Sequence, residues 1–434
     1  MAILQSYKKY NTIAYDYANA LPDGWQLLPN IAIFQERIER GHINEELLSV
    51  TIGKGVIRQS NVDIKKDSSN DDKSKYKLIK VGDIAYNKMR MWQGALGYSD
   101  YQGISSPAYV ILKPKMKINP RYFHYMFRSP FYTNYSKRFS YGIVDDQLSL
   151  RYTDFKRMYS IFPPLEIQNN IVDYLDKKNN VIDKFIRNKE RLIELSIENK
   201  NKRISEIITG KNIMDSKFKD SFIDCYGKIP ENWDIKNLSY ISNVILGKMR
   251  CRDDKGNYKL KPYLKSKNIG WENVIVDDVE EMWFSKDEMK TYRLQKNDLL
   301  LSEGGEVGKT SIWNDELEEC YIEKSVHKVT LKKGFNPIYY LYYLYFLGKS
   351  GYFKSISSQV SIGHLTREKL IKVKCIVPPL ELQNQLVKEI MLQIGKANKL
   401  IAKAQKEIAS IKEYREALIT DLVTGKRSLN GDFA

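Results

Sequence analysis

Cysteine and histidine are scarce in this sequence, and their spacing excludes the sites that they usually build. The 434 residues contain no CxxC pair and no histidines at metal-ligand spacing. The cysteines are Cys225, Cys251, Cys320 and Cys375, and the histidines are His42, His124, His327 and His364. We therefore expect no metal site and no disulfide framework, and a reducing cytoplasm fits this composition.

Long apolar segments are also missing. The N-terminal segment has no apolar run of the kind that a signal peptide needs, so we expect a cytoplasmic protein. The most apolar stretch, Ile338 to Leu347, is too short to span a membrane and carries five tyrosines. It predicts a buried helix and gives no reason to expect a membrane partner.

Positive charge is abundant. Lys and Arg number 70 against 53 Asp and Glu, which gives a net charge of +17 and a pI near 9.3. Such a balance favours a polyanionic partner such as nucleic acid. A solvated basic surface explains the charge equally well, so composition alone does not decide between them. The length indicates two or three domains.

The sequence repeats itself at a spacing of about 210 residues. The repeated motifs are Leu21 to Trp25 with Ile229 to Trp233, Asn119-Pro120 with Asn336-Pro337, Pro163 to Asn169 with Pro378 to Asn384, and Ile208 to Lys211 with Val423 to Lys426. Because the copies keep the same order, the chain consists of two halves built on one plan.

The first part of each half predicts a mixed α+β globule. Apolar strands are indicated at Ser106 to Lys113 and at Val326 to Lys332. Each Asn-Pro pair is typical of an N-cap followed by proline in the first helical turn. The pairs precede aromatic helices predicted at Tyr122 to Phe127 and Tyr339 to Phe346.

The second part of each half predicts one long helix. Leu165 to Thr209 and Leu380 to Thr424 contain no proline, and each follows a Pro-Pro pair and ends at a glycine. Apolar residues form one stripe per helix. The stripes contain Leu175, Ile182, Phe185, Ile186, Leu192, Ile193 and Ile207, and then Ile390, Ala397, Ala404, Ile411 and Leu418. Since globule and helix alternate along the chain, we predict that the two helices pack antiparallel.

The stretch Leu299 to Trp313, LLLSEGGEVGKTSIW, resembles the end of a phosphate-binding loop. A Walker A loop requires its first glycine at the position that Glu303 occupies. The equivalent stretch of the first half has Gly94-Ala95 where Gly308-Lys309 stands. We therefore predict a glycine hairpin between two strands. Motifs for dinucleotide binding and for amino methylation are also missing.

The doubled plan and its motifs resemble the specificity subunit of type I restriction-modification systems. The residues that carry the resemblance are Lys219 to Ile235, PPLEIQNNIVDYLD and PPLELQNQLVKEI at the helix starts, LITDLVTGK at the end of the second helix, and the hairpin LSEGGEVGKTSIW. The hairpin around Met89 to Leu96 departs from the pattern because it lacks Gly-Lys.

This resemblance implies an α+β fold in which two α/β-mixed target recognition domains are separated by two long antiparallel helices, a coiled-coil spacer with pseudo-twofold internal repetition. The predicted segments are recognition domain 1 at 1–162, spacer helix 1 at 163–211, recognition domain 2 at 212–377, spacer helix 2 at 378–426 and a tail at 427–434. Each domain would read one half of a bipartite, asymmetric duplex DNA target.

The resemblance also implies partners. Two methyltransferase subunits would dock on the helices, and restriction subunits would join through them. S-adenosylmethionine and base flipping would belong to the methyltransferase partner, so this chain would bind no cofactor and have no catalytic site of its own.

Candidate DNA contacts are cations, amides and aromatics in loops, because Arg, Lys and Gln contact base edges and phosphates. In the first half they are Lys88, Arg90, Trp92, Gln93, Arg138, Tyr141 and Gln147. In the second half they are Lys248, Arg250, Arg252, Lys265, Lys267, Lys309, Gln359 and His364. Each lysine has the alternative of a solvated charge, and each aromatic that of a core position.

Three alternatives compete with this interpretation. A coiled-coil scaffold for proteins predicts little salt-dependent affinity for duplex DNA. A stand-alone DNA-binding regulator predicts tight binding without methyltransferase subunits. A nucleotide-hydrolysing enzyme predicts activity that Lys309→Ala abolishes.

Overall fold

The computed structural model describes residues 5–13, 18–62, 72–144, 147–213, 217–223, 225–357 and 363–429. The chain forms two compact units: unit 1 contains residues 1–189 and 405–434, and unit 2 contains residues 190–404. Both units include parts of two long helices, α5 (Leu165–Ile208) and α11 (Leu380–Val423), each of 44 residues. The predicted pair of long helices is thereby confirmed.

Unit 1 surrounds a four-stranded antiparallel sheet with the order β4-β11-β8-β9. Its strands are β1 (Tyr10–Thr12), β2 (Ala20–Pro22), β3 (Gln26–Pro29), β4 (Phe34–Glu36), β5 (Leu48–Thr51), β6 (Gly55–Arg58), β7 (Lys77–Ile79), β8 (Ile84–Asn87), β9 (Leu96–Tyr98), β10 (Gly103–Ser105), β11 (Tyr109–Pro114) and β12 (Tyr159–Phe162). Its short helices are α1 (Asn30–Ile33), α2 (Pro120–Arg128), α3 (Pro130–Arg138) and α4 (Tyr152–Phe155). Strand pairs β1-β2, β3-β12, β5-β6 and β7-β10 complete the unit.

Unit 2 repeats this plan, since its four-stranded sheet has the equivalent order β16-β22-β19-β20. Its strands are β13 (Phe218–Asp220), β14 (Lys228–Pro230), β15 (Asp234–Asn237), β16 (Ser242–Leu246), β17 (Lys259–Leu264), β18 (Glu280–Phe284), β19 (Leu299–Ser302), β20 (Thr310–Ile312), β21 (Tyr321–Ile322), β22 (Val326–Leu331) and β23 (Lys374–Val377). Its helices are α6 (Leu238–Ile241), α7 (Lys286–Tyr292), α8 (Pro337–Lys349), α9 (Tyr352–Ile356) and α10 (Arg367–Leu370). A three-stranded sheet, β18-β17-β21, is particular to this unit among the described residues.

Where α5 and α11 meet in unit 1, they pack antiparallel, as predicted. In unit 1, Arg415 of α11 forms an ion pair with Asp183 of α5, and Glu407 lies 2.5 Å from Lys189. Residues farther along α5 therefore contact residues closer to the N-terminus of α11, which is the pattern of antiparallel helices. Most residues of the predicted stripes are buried or half-buried, but Phe185 is exposed and its ring lies beneath the Lys189 ammonium.

The repeated Gln-Asn pair ties each globule to the start of a long helix. The Gln168 Nε2 group donates to the Pro163 carbonyl at 2.8 Å, and Gln168 Oε1 accepts from the Asn119 backbone N–H at 2.9 Å. In unit 2, Gln383 makes the same two bonds, to the Pro378 carbonyl and from the Asn336 N–H, at 2.8 and 2.9 Å. Since Asn119 and Asn336 are the N-caps of the aromatic helices α2 and α8, each glutamine joins two helix starts.

The other repeated motifs meet at the helix ends. Gly210 has φ +72°, and a Cβ there would lie 2.6 Å from Pro230 and 2.8 Å from Trp233. Gly425 has φ +70°, and its Cβ would lie 2.6 Å from Pro22. Glycine is needed at both positions because the left-handed conformation and the close approach each disfavour a side chain. The Pro-x-x-Trp motif of each globule thus packs on the C-terminal end of a long helix.

The aromatic segment of unit 2 is the predicted buried helix. Every residue from Tyr339 to Leu347 in α8 is buried. Two of its tyrosine hydroxyls donate to main-chain carbonyls at 3.3 Å, that of Tyr339 to Ile208 and that of Tyr340 to Ile376. Within the described parts of the chain, no helix is both long and apolar enough to cross a membrane.

The glycine stretch Leu299 to Trp313 forms a hairpin, as predicted. Strand β19 leads into the loop and strand β20 begins at Thr310. A Walker A loop instead leads into a helix whose N-terminus faces the phosphates. Gly308 has φ +81°, and a side chain there would overlap the ring of Phe353. Glycine is therefore needed at this tight turn because Phe353 packs directly against it.

Candidate nucleic-acid interface

A group of cations lies at the end of strand β8 in unit 1. Burial lowers the pKa of Lys88, and the nearby charges of Lys77 and Arg151 lower it further. Glu36 opposes this effect, but its carboxylate already lies 2.9 Å from the Lys77 ammonium. The group therefore has a surplus of positive charge, which an incoming phosphate would relieve.

The loop after Lys88 presents two further predicted residues to solvent. Arg90 and Gln93 are exposed. Trp92 is half-buried: its indole N–H donates to the Met89 carbonyl at 3.2 Å, and the Lys137 ammonium lies 4.8 Å from its ring centre. Arg90 and Gln93 are thus placed to contact a ligand, whereas Trp92 packs against its own loop.

A second loop of unit 1 holds the remaining predicted residues of the first half. Arg138 ends α3, and Arg138, Tyr141 and Gln147 are all exposed. The loop is closed by two backbone hydrogen bonds between Tyr141 and Ser149, at 3.1 and 2.9 Å. Ile143, in the same loop, is an apolar residue that is 95% exposed.

In unit 2, three predicted cations converge around one carboxylate. Glu280 of β18 pairs with Lys265, and its Oε2 lies 3.1 Å from Arg250 and 2.8 Å from the Tyr263 hydroxyl. Lys267 pairs with Asp278 and lies 3.8 Å from Glu280. The hydrogen bond from Lys265, and then that from Tyr263, lowers the pKa of Glu280 to about 2. We call these residues the Glu280 cluster.

Two predicted residues near this cluster differ in their placement. Arg252 is exposed. Lys248 is buried: its ammonium donates to the Trp283 carbonyl at 2.7 Å, pairs with Glu288 and lies 5.0 Å from the ring centres of Tyr258 and Phe284. Since its donors serve the fold of unit 2, this geometry favours a structural role over the predicted DNA contact.

The remaining predicted residues belong to the hairpin region. Lys309 is half-buried and its ammonium lies 2.8 Å from Glu306. His364 is exposed, with Nδ1 3.1 Å from Glu303. Both therefore face carboxylates, which compete with any phosphate. Gln359 lies outside the described residues.

Sequence reasoning missed the acidic partners and a pocket. Glu280 lies close to three predicted cations and accepts a hydrogen bond from Tyr263. Sequence spacing did not indicate this, because Glu280 and Tyr263 are distant from Arg250 along the chain. Unit 1 contains a polar pocket of about 170 Å³. Its lining residues are Leu47, Leu48, Ser49, Gln59, Tyr76, Ser106 and Tyr109. No motif marks this pocket, because it is assembled from separate segments.

Comparison with known proteins identifies the class. Residues 230–410 match the family model described as "Type I restriction modification DNA specificity domain". The chain is 26% identical over 456 aligned residues to the putative type I restriction enzyme MjaX specificity subunit of Methanocaldococcus jannaschii, with 98% of both chains covered. It is 25% identical to the MjaVIII specificity subunit of that organism, over 81% of this chain and 82% of that one.

Solved structures share the fold. A chain from a structure titled "Structural basis underlying complex assembly and conformational transition of the type I R-M system" aligns with a TM-score of 0.72 and 16% identity, covering 94% of this chain and 99% of that one. The HsdS subunit from Thermoanaerobacter tengcongensis aligns with a TM-score of 0.52 and 17% identity, covering 96% and 99%.

A doubled mixed α/β domain with two long helices is thus a fold that this chain shares with a solved HsdS subunit. Residues 230–410 therefore match a type I DNA specificity domain, and the whole chain is similar to specificity subunits of type I restriction-modification systems.

Proposed function

We propose that the globules of unit 1 and unit 2 each read one half of a bipartite, asymmetric duplex DNA target. The observation that carries this proposal is that the two sheets have the same strand order. The polar surfaces of the two units nevertheless differ. Unit 1 presents the cation group at the end of β8, and unit 2 presents the Glu280 cluster. Two domains of one architecture with different contact residues are suited to two different half-sites.

The contact residues that fit this role best are exposed cations and amides. In unit 1 they are Arg90, Gln93, Arg138 and Gln147, and in unit 2 they are Arg250, Arg252 and Lys267, with the half-buried Lys265 beside them. Their ammonium and guanidinium groups neutralise phosphates, while Arg and Gln also match the acceptors of base edges.

The long helices set the gap between half-sites and dock two methyltransferase subunits. At 1.5 Å per residue, a helix of 44 residues is roughly 66 Å long. Several apolar residues along α5 and α11 are exposed to solvent. They support docking, because exposed apolar patches often mark protein-protein interfaces. These residues are Val181, Leu195, Ile197, Met391, Leu392 and Leu400.

The chemistry belongs to the partners. This chain selects the DNA sequence within a cytoplasmic complex. The methyltransferase subunits bind S-adenosylmethionine and flip the target adenine. Restriction subunits join through them. The hairpin geometry supports a chain without its own catalytic site, since Lys309 pairs with Glu306 and β20 stands where a phosphate-binding loop has a helix.

The test is genome-wide adenine methylation, measured by single-molecule sequencing in a host that expresses this chain with its neighbouring methyltransferase. The control host lacks this chain. We expect a split motif with a fixed gap only when the chain is present. Absence of chain-dependent methylation, with a methyltransferase that is active beside another specificity subunit, would contradict the proposal and favour the scaffold alternative.

A second measurement separates the remaining alternatives. Binding of the assembled complex to the identified duplex should weaken steeply with salt, because phosphate contacts release counterions. A stand-alone regulator would bind equally tightly without methyltransferase subunits. A scaffold would show little salt-dependent affinity.

A further inference from the structure

The polar pocket of unit 1 is formed where distant segments meet. Ser49 comes from β5, Gln59 follows β6, and Tyr109 begins β11. Hydroxyl and amide groups dominate its lining, so the pocket suits a ligand that forms several directional hydrogen bonds.

Gln59 is held in one orientation within this lining. Its backbone N–H donates to the Leu47 carbonyl at 2.9 Å, and the Ser49 hydroxyl donates to its Oε1. Within the described residues, no hydrogen bond engages its Nε2 group. Because Ser49 occupies the amide oxygen, the half-buried side chain offers a donor to a ligand.

The pocket adjoins the cation group at the end of β8. The Lys77 ammonium donates to the Tyr109 carbonyl at 2.9 Å, and the Lys88 backbone N–H donates to the Ala108 carbonyl at 3.2 Å. Burial raises the pKa of Tyr109, and the Arg90 guanidinium is close enough to oppose that rise. A nucleic-acid backbone bound by Lys88 and Arg90 would therefore bring base edges to the pocket.

We propose that Gln59 is a specificity-determining residue of unit 1, and that its Nε2 donates to the keto oxygen of a guanine or thymine in the major groove. This inference rests on the proposed function, in which unit 1 reads one half-site. Guanine O6 and thymine O4 are acceptors there, whereas cytosine and adenine present amino donors at the equivalent edge. The Ser49 hydroxyl positions Gln59 for this contact.

The test exchanges donor for acceptor. Complexes of the full chain with its methyltransferase subunits are compared for the wild type, Gln59→Glu and Gln59→Ala, by selection of bound duplexes from a library with randomised half-sites. Gln35→Glu is the matched control, because Gln35 is exposed on the edge strand β4 and the substitution adds the same charge to the same unit.

We expect Gln59→Glu to change one position of one half-site from a keto base to an amino base. Gln59→Ala should make that position degenerate, with a loss of discrimination of roughly 5- to 150-fold. The other half-site and the gap should be unchanged, and Gln35→Glu should select the wild-type motif.

Each contrary result has a distinct meaning. An unchanged motif in both Gln59 variants overturns the assignment of Gln59 and leaves the proposed function intact. If Gln59→Glu binds no site, the alanine variant decides: one degenerate base supports the assignment, and an unchanged motif rejects it. Loss of both half-sites in Gln59→Ala also contradicts a role confined to one base. A wild-type complex without a split motif refutes the proposed function itself.

Discussion

The glutamine that joins globule to helix in unit 2 allows a quantitative test of the fold. Gln383 is 1% exposed and holds the Pro378 carbonyl and the Asn336 N–H through one amide. Gln383→Ala removes both bonds and leaves two main-chain groups without these partners. At about 1–3 kcal/mol for each unsatisfied buried group, and with Asn336 only half-buried, we expect a loss of about 2–4 kcal/mol in the free energy of unfolding.

The assay is urea unfolding of the full chain, followed by far-ultraviolet circular dichroism and by tyrosine and tryptophan fluorescence. Gln385→Ala is the control, because Gln385 is exposed two residues farther along the same helix. This variant should stay within about 0.5 kcal/mol of the wild type. The equivalent variant in unit 1, Gln168→Ala, should lose a similar amount, and its effect should add to that of Gln383→Ala because the two sites share no partner. If Gln383→Ala is no more destabilising than Gln385→Ala, the hydrogen bonds of Gln383 do not stabilise the junction between the two helix starts.

Further predictions concern DNA binding by the assembled complex. Lys88→Met should weaken binding to all sequences and reduce the slope of log affinity against log salt by about 0.9, and an unchanged slope in a salt titration would exclude a phosphate contact. Arg250→Ala should weaken specific binding in a gel-shift titration while subunit assembly remains intact, and unchanged affinity would remove this residue from the interface. Glu280→Gln should raise non-specific affinity, because it removes a carboxylate that faces three cations; lower affinity would instead indicate that Glu280 itself contacts a base. Insertion of one heptad into both α5 and α11 should lengthen the methylated gap by about three base pairs, since seven residues add roughly 10 Å, and a constant gap would show that the helices do not set it.

The regular features of the fold were predictable because local signals determine them. Proline pairs and glycines mark the ends of α5 and α11, and the Asn-Pro pairs mark α2 and α8. The motif repeat identified two halves, and the sheets confirm it with the same strand order. What the sequence did not reveal was the purpose of the repeated glutamines, since one of the two partners of each glutamine lies about 50 residues away in the chain.

The candidate site was less predictable, because the charge of a side chain does not reveal which residue it pairs with in the folded protein. Lys248 and Arg250 are neighbours with the same charge, yet Lys248 is buried against Glu288 whereas Arg250 remains at the surface beside Glu280. Tertiary packing makes that distinction. Gln59 was overlooked for the same reason: a lone glutamine acquires meaning only when Ser49 and Tyr109 are brought beside it.

The division of the chain into units has a consequence for synthesis on the ribosome. Unit 2 is contiguous, but the core of unit 1 includes Leu418, Leu422 and Val423, and the Tyr122 hydroxyl donates to the Val423 carbonyl at 2.9 Å. Residues 190–404, which separate the two parts of unit 1, number 215 and take about 10–40 s to translate at about 5–20 residues per second. The domain that is translated first therefore acquires its complete core last, after its neighbour has all the residues it needs to fold.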